Sequence, residues 1–400
     1  MAPKKSTTNK KKTSPEADSK QRGRSTKPAG VSKPPPRFVK GLKSNTNACF
    51  SHAIVQALAA ALSTGGAQSA GRHILGDATD LPDLNVASGR ASRQKKAAVK
   101  QLQDRIALGG PEVSVSKRLS ALLDSIRNPG CSKTNQLLQD FQAVVAHSSD
   151  SRANFTGETQ EDVSEYHLRV NEALKDDPHC ADPAALSDEF DFFATEGTTC
   201  KKCGTSRNVR DIPNNNHHII YLATANQQKT SVSDLFSRST TTDVDSNEPC
   251  AKCNGTAFSR DTNFTKLPRT IAVHVNRSMD GSYSKDKTPI DYSSKTIEIN
   301  GSVHNLFAVI QHGGKNTRKG HYAIFRKVSY SNGNHRWYLI DGEEVREVPD
   351  EAVADDGEAF ERGQSAMFFF RRTKPAQSPA ETSLNASASR CRSHRFLHIM

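Results

Sequence analysis

Residues 41–62 read GLKSNTNACFSHAIVQALAAAL and place one cysteine, Cys49, at the junction between a polar loop and a helix. Ala53, Ile54, Ala57, Leu58, Ala61 and Leu62 recur with the spacing of one buried helical face. Ahead of them, Ser44, Asn45, Thr46 and Asn47 are residue types that cap a helix N-terminus. A thiol in a first helical turn sits in the partial positive charge of unpaired backbone N–H groups, which favours the thiolate. The same cysteine also reads as a small buried hydrophobe, so its meaning depends on a base elsewhere in the chain.

Downstream lies a Gly, Ser and Asp-rich loop near 63–90, and three stretches then read as helices: about 91–107, 117–127 and 135–147. A further helix is expected over 160–174, QEDVSEYHLRVNEAL, with Val163, Tyr166, Val170 and Leu174 on one side. Asp162 and Glu165 lie three apart, so both carboxylates can project from one helical face. A solvated acidic face is the plainer reading.

Two C-x-x-C pairs follow, Cys200 with Cys203 in TTCKKCGTSR and Cys250 with Cys253 in EPCAKCNG. Each presents two thiolates from a tight knuckle, and two knuckles complete the tetrahedral sulfur set that Zn²⁺ prefers. A redox dithiol is the rival for a single pair, and two matched pairs favour structural zinc.

From Leu267 the pattern becomes strands: TIAVHVN, KTIEIN, NLFAVIQH, HYAIFRKV, RWYLID and SAMFFFRR, with Gly, Asn and Asp in the turns. The connections are too short for helical crossovers, so an all-antiparallel sheet is expected. His321 opens one strand and Asp341 closes the next. If those strands are neighbours, the carboxylate can hold the imidazole in one tautomer.

The basic excess sits at the ends. The first 40 residues hold nine Lys and three Arg against two acids, residues 371–400 hold six basic against one acidic, and residues 41–370 are left at about −3. Residues 1–36 and 373–400 are expected to be disordered tails around one domain at 37–372. PKKSTTNKKK suits nuclear import or a weak nucleic-acid contact, although no aromatic is interleaved for base stacking. Eight cysteines without a secretory segment or long apolar run point to a reducing compartment, nucleus or cytoplasm, with no membrane partner.

Taken together, the Cys49 box, the QEDVSE helix, the two knuckles, LPRTIAVHVNR, and GHYAIFRK followed by WYLIDGEEV resemble the ubiquitin-specific protease family of deubiquitinating enzymes. The resemblance covers roughly residues 41–372. It implies an α+β fold of papain-like cysteine-protease type, shaped like a right hand: a helical thumb, an antiparallel β palm and zinc-bearing β-fingers at about 195–260. It further implies Cys49 as nucleophile, His321 as general base and acid, and Asp341 as the residue orienting it. Asp162 and Glu165 resemble the carboxylates that grip the arginine-bearing tail of ubiquitin, and residues 312–320, HGGKNTRKG, resemble the loop bordering the entrance for that tail. Ubiquitin or ubiquitinated proteins are the implied partners of a monomeric enzyme.

The family pattern GLxNxGNTCYxN is altered here: Ser44 stands for the asparagine that helps stabilise the oxyanion, Thr46 for a glycine, Ala48 for a threonine and His52 for an asparagine. Losing one side-chain donor to an oxyanion costs about 10²–10³ in rate. Ser44 or Asn45 would have to substitute, beside the backbone N–H of Cys49. The alternative reading is a catalytically impaired, ubiquitin-binding relative.

Overall fold

The helix that carries Cys49, α1 (Cys49–Ala61), is buried along its whole length, including Ser51, His52 and Gln56. One apolar face was expected, but a helix covered on all sides belongs between layers. Its N-cap is Ala48, with no side-chain cap; Ser51 Oγ instead donates back to Ala48 O at 2.8 Å. At the far end the Arg371 guanidinium donates to Ala61 O, which pairs one of the orphan carbonyls of a helix C-terminus.

The computed structural model describes residues 39–43, 48–63, 70–78, 81–84, 92–128, 130–148, 155, 161–215, 218–221, 229–245, 248–278, 284–317, 319–330, 332–356 and 363–373. The arm expected at 1–36, almost all of the tail expected at 373–400, and the oxyanion candidates Ser44 and Asn45 lie outside these residues.

After α1 come α2 (Ala70–Leu75), α3 (Ser92–Ala107), α4 (Val115–Arg127), α5 (Thr134–His147), α6 (Val163–Lys175) and α7 (Pro183–Phe190). The chain then runs through β1 (Phe192–Cys200), β2 (Ser206–Asn215), β3 (His218–Tyr221), β4 (Thr230–Ser231), α8 (Val232–Thr240), β5 (Thr241–Asp245) and β6 (Ala257–Lys266). It closes with β7 (Thr270–Asn276), β8 (Ile290–Asp291), β9 (Thr296–Ile299), β10 (Ser302–Gly313), β11 (His321–Ser329), β12 (His335–Asp341), β13 (Glu344–Val348) and β14 (Gln364–Arg372). None of the helices among the described residues is long and apolar enough to cross a membrane.

A four-stranded sheet in the order β2-β1-β6-β5 forms the fingers, with the knuckles at its tip. The palm is an eight-stranded sheet in the order β13-β12-β11-β10-β14-β7-β3, with β9 paired to β10. The all-antiparallel expectation needs one correction, because β3 pairs with β7 in parallel. That strand precedes Leu267, and its connection to β7 passes through α8 and two finger strands, long enough for a crossover.

Period-2 alternation explains why the palm is buried on both sides. Tyr322, Ile324 and Val328 of β11, with Met367 and Phe369 of β14, face α1 and the other thumb helices. Ala323, Phe325, Phe368 and Phe370 face the second core, where Phe236 of α8 packs. The thumb also holds a fully buried ion pair, Arg118 Nη1 to Asp140 Oδ2 at 3.0 Å. Burial pushes Asp140 up and Arg118 down, toward the neutral form of each, so the pair matters chiefly by not being broken. Asp140→Ala is expected to cost about 3–5 kcal/mol in a denaturant titration, because it strands a buried guanidinium.

Candidate active site and metal centre

Two strands and one helix start bring the predicted residues together. β11 and β12 are antiparallel neighbours, with Ile324 opposite Ile340, so His321 at the head of one lies beside Asp341 at the foot of the other. His321 Nε2 and Asp341 Oδ1 are 2.5 Å apart. His321 also hydrogen-bonds Cys49, and with Nε2 spent on the carboxylate, that bond falls to Nδ1. The segment before Cys49 is tied to the same corner: Leu42 N–H donates to Gly342 O at 2.7 Å. A Cβ on Gly41 would stand 2.3 Å from Glu343 O, so only glycine allows this approach.

Three imidazoles lie close together here with opposed electrostatics. The bond to Asp341, and then the bond to Cys49, push His321 up to about 10. Burial, and then the charge of His321, push His52 down to about 4. Burial and the neighbouring Lys285 charge do the same to His312. At neutral pH the charge is concentrated on the ring that touches the thiol.

Because His321 binds its proton more tightly folded than unfolded, it contributes stability fully present below about 6.5 and lost as pH rises through about 10. Asp341→Asn should bring that loss to lower pH, because the largest cause of the raised pKa is gone. Following the His321 ring proton by NMR checks this, and an unmoved midpoint would refute the assignment.

Asp162 is not on the expected helical face. It is the N-cap of α6, where its Oδ1 accepts from Ser164 N at 2.7 Å and Glu165 N at 3.2 Å. D-x-x-E before an apolar run is a capping-box pattern, so the sequence did carry this signal. Burial would raise the Asp162 carboxyl, but the His274 charge and the cap donors together hold it below the usual range. Glu165 goes the other way, raised by burial and by Asp162. Protein packs around both carboxyls, yet each residue keeps an exposed side. Tyr322 stands between them and the thiol: its hydroxyl bonds the backbone of Val163, and it feels the charges of Asp162, Cys49 and Glu165.

At the finger tip, Cys200 Sγ and Cys253 Sγ are 3.5 Å apart and Cys203 Sγ and Cys250 Sγ 3.6 Å. All four sulfurs lie within 4.8 Å of one another. A tetrahedral ion with metal–sulfur bonds near 2.3 Å requires sulfurs about 3.8 Å apart, so this cluster could hold a metal ion. The knuckles are matched turns, with Gly204 and Asn254 both at positive φ and their N–H groups each 2.8 Å from Cys200 O and Cys250 O.

His274 and His312, which feel the charge of Asp162, Lys285, which bonds His312, and Tyr322 were not singled out from sequence. His312 and Tyr322 flank the loop that ends in GHY, which was the available signal.

The chain matches the family model described as ubiquitin carboxyl-terminal hydrolase over residues 40–370. Among solved structures it is similar to the SAGA Ubp8/Sgf11/Sus1/Sgf73 DUB module bound to ubiquitin aldehyde, with a TM-score of 0.56 and 15% identity, over 86% of this chain and 72% of that one. The C146A Ubp8 module bound to monoubiquitin matches with a TM-score of 0.55 and 15% identity, over 84% and 70%. A yeast SAGA DUB module with an Sgf73 Y57A substitution gives 0.54 and 13%, over 86% and 71%. At these identities the likeness shows the fold: the α+β right hand, with thumb, palm and fingers. Matched across 40–370, the chain belongs to the ubiquitin carboxyl-terminal hydrolase family.

Proposed function

We propose that this chain is a thiol-dependent hydrolase that cuts the peptide or isopeptide bond after the C-terminal glycine of ubiquitin. The observation that carries the reading is His321, joined through one nitrogen to Asp341 and through the other to Cys49. Cys49 Sγ, its proton already held on His321 Nδ1, attacks the glycine carbonyl carbon. The tetrahedral oxyanion collapses, the amine leaves with the proton from His321, and a thioester remains on Cys49. Water then gives a proton to His321, adds to the thioester carbonyl, and ubiquitin leaves with a free carboxylate as Cys49 is restored.

Asp341 keeps the ring oriented throughout. The free N–H groups at the start of α1 supply oxyanion donors, with Ser44 or Asn45 as the side-chain candidates. Asp162 and Glu165 hold the arginines of the ubiquitin tail, Asp162 through the Oδ2 that capping leaves over. Cys200, Cys203, Cys250 and Cys253 hold structural Zn²⁺, which fixes the finger tip and leaves no open position for chemistry.

A ubiquitin probe with a C-terminal electrophile should form an adduct at Cys49. Folded protein that binds ubiquitin but forms no adduct and cleaves no fluorogenic ubiquitin amide would instead be the binding-only relative that Ser44 suggests.

A further inference from the structure

Against His312 lies a buried lysine that no step above uses. Lys285 is 7% exposed, and its Nζ is 2.6 Å from His312 O and 3.1 Å from His312 Nδ1. As an ammonium, its form below about 7, Lys285 can only donate, so there Nδ1 must accept and the neutral ring must carry its proton on Nε2. That nitrogen lies where a Cβ on Gly320 would stand, 2.3 Å away, so the ring edge packs directly against the residue before His321. The ring also packs on Tyr322, with centroids 4.6 Å apart, and Tyr322 is its cross-strand partner, just as Gly313 is for His321. His312 therefore touches the chain on both sides of His321.

We propose that Lys285 is a positioning residue for the hydrolysis, acting through His312: it fixes the Nε2–H tautomer and seats the ring against Gly320 and Tyr322, which holds the backbone that carries His321. This rests on the functional reading above. Lys285 is itself held in place. Its segment is bridged to the strand end at Ser278 and to the loop at Asn316, through Ser284. Beside it, Arg277 donates to Asp286 O and Thr288 O, and Arg277 pairs with Asp356 at 2.5 Å. Burial and then Arg277 push Lys285 down to about 7, so charge is not what keeps it there; the two acceptors on His312 are. A small displacement of a reacting group can cost about 10²-fold, and that is the scale on which Lys285 should act.

The test compares Lys285→Met, which removes the donors, with Lys285→Gln, which keeps an N–H donor without charge. At pH 6, with ¹⁵N-histidine and His312 assigned through His312→Gln, the wild-type ring should show a proton on Nε2 alone. In Lys285→Met the two tautomers should mix. On a fluorogenic ubiquitin amide, kcat should fall about 10- to 100-fold. KM, and ubiquitin affinity in a Cys49→Ala background, should stay within about twofold of the parent. Lys285→Gln should retain the Nε2–H tautomer and most of kcat, and it decides the matter if Lys285→Met does not fold. An unchanged kcat in Lys285→Met, or a loss of kcat with the tautomer intact in either variant, overturns the proposal. A wild-type protein that neither reacts with the electrophilic probe nor cleaves the amide would overturn the functional reading instead. The imidazole spectrum would still be decisive for Lys285, because an Nδ1–H ring in the wild type refutes its placement.

Discussion

Cys49→Ala should lower kcat on a fluorogenic ubiquitin amide by roughly 10⁴–10⁶-fold and leave the fold, the metal content and ubiquitin binding as they are. The size of the loss follows from the proposed covalent route, in which without the sulfur no thioester forms, and His321 and the oxyanion donors would act on nothing. The specificity follows from position. Cys49 is the first residue of α1 and is 8% exposed, so trimming one sulfur leaves a small void in an otherwise intact helix. It lies on α1, whereas the knuckles sit at the tip of the finger sheet. Metal analysis and a binding isotherm, run beside the turnover assay, check all three. Residual activity above about a hundredth of wild type, or loss of metal in Cys49→Ala, would sink the assignment.

Cys200→Ser should do the reverse. The finger tip has almost nothing else to hold it: its core is Cys200, Cys250 and Phe258, with Cys203 and Cys253 packed alongside, and Arg207 lies across the Phe258 ring at 3.8 Å. A cluster of that size cannot support itself by burial. Binding energy for a closed sulfur site is folding energy for the segment around it, so breaking the site should destabilise the fingers by several kcal/mol, about 3 or more. Metal content should drop, amide protection should be lost in β1, β2, β5 and β6 before the palm, and ubiquitin affinity should weaken. A Cys200→Ser protein that stays fully protected and active without metal would rule out the structural role.

How far the chain could be read from its letters depended on where each residue's partners lie. The six late strands were legible because alternation and turn residues are local, and the His321–Asp341 contact followed from a short hairpin. β13 went unread because it is a polar edge strand, EVREV, mostly exposed, with no apolar face to alternate. α7 was missed although Asp182 caps it and Pro183 starts it, a signature that a closer reading would have used. The burial of α1 was beyond local reading, since its polar residues look like a wet face. Gln56 is satisfied from afar: it donates to Lys40 O at 2.7 Å and accepts from Arg326 at 2.9 Å. Lys285 was invisible for the same reason, because its partner lies 27 residues on.

The place of β14 sets an order on synthesis. It is the last described strand of the chain, yet it lies inside the palm, hydrogen-bonded to β10 on one side and β7 on the other. A ribosome therefore finishes the helix that carries Cys49 more than 300 residues before the strand that closes the sheet under it has emerged. At about 5–20 residues per second, some tens of seconds pass in which Cys49 exists without a completed palm. Late in that interval, once β7 and β10 have been made, the two strands flanking the gap present open edges, which recruit other chains. Nascent chains stalled before residue 364 should consequently bind chaperones and show no reaction with a ubiquitin electrophile, whereas chains released after residue 373 should react.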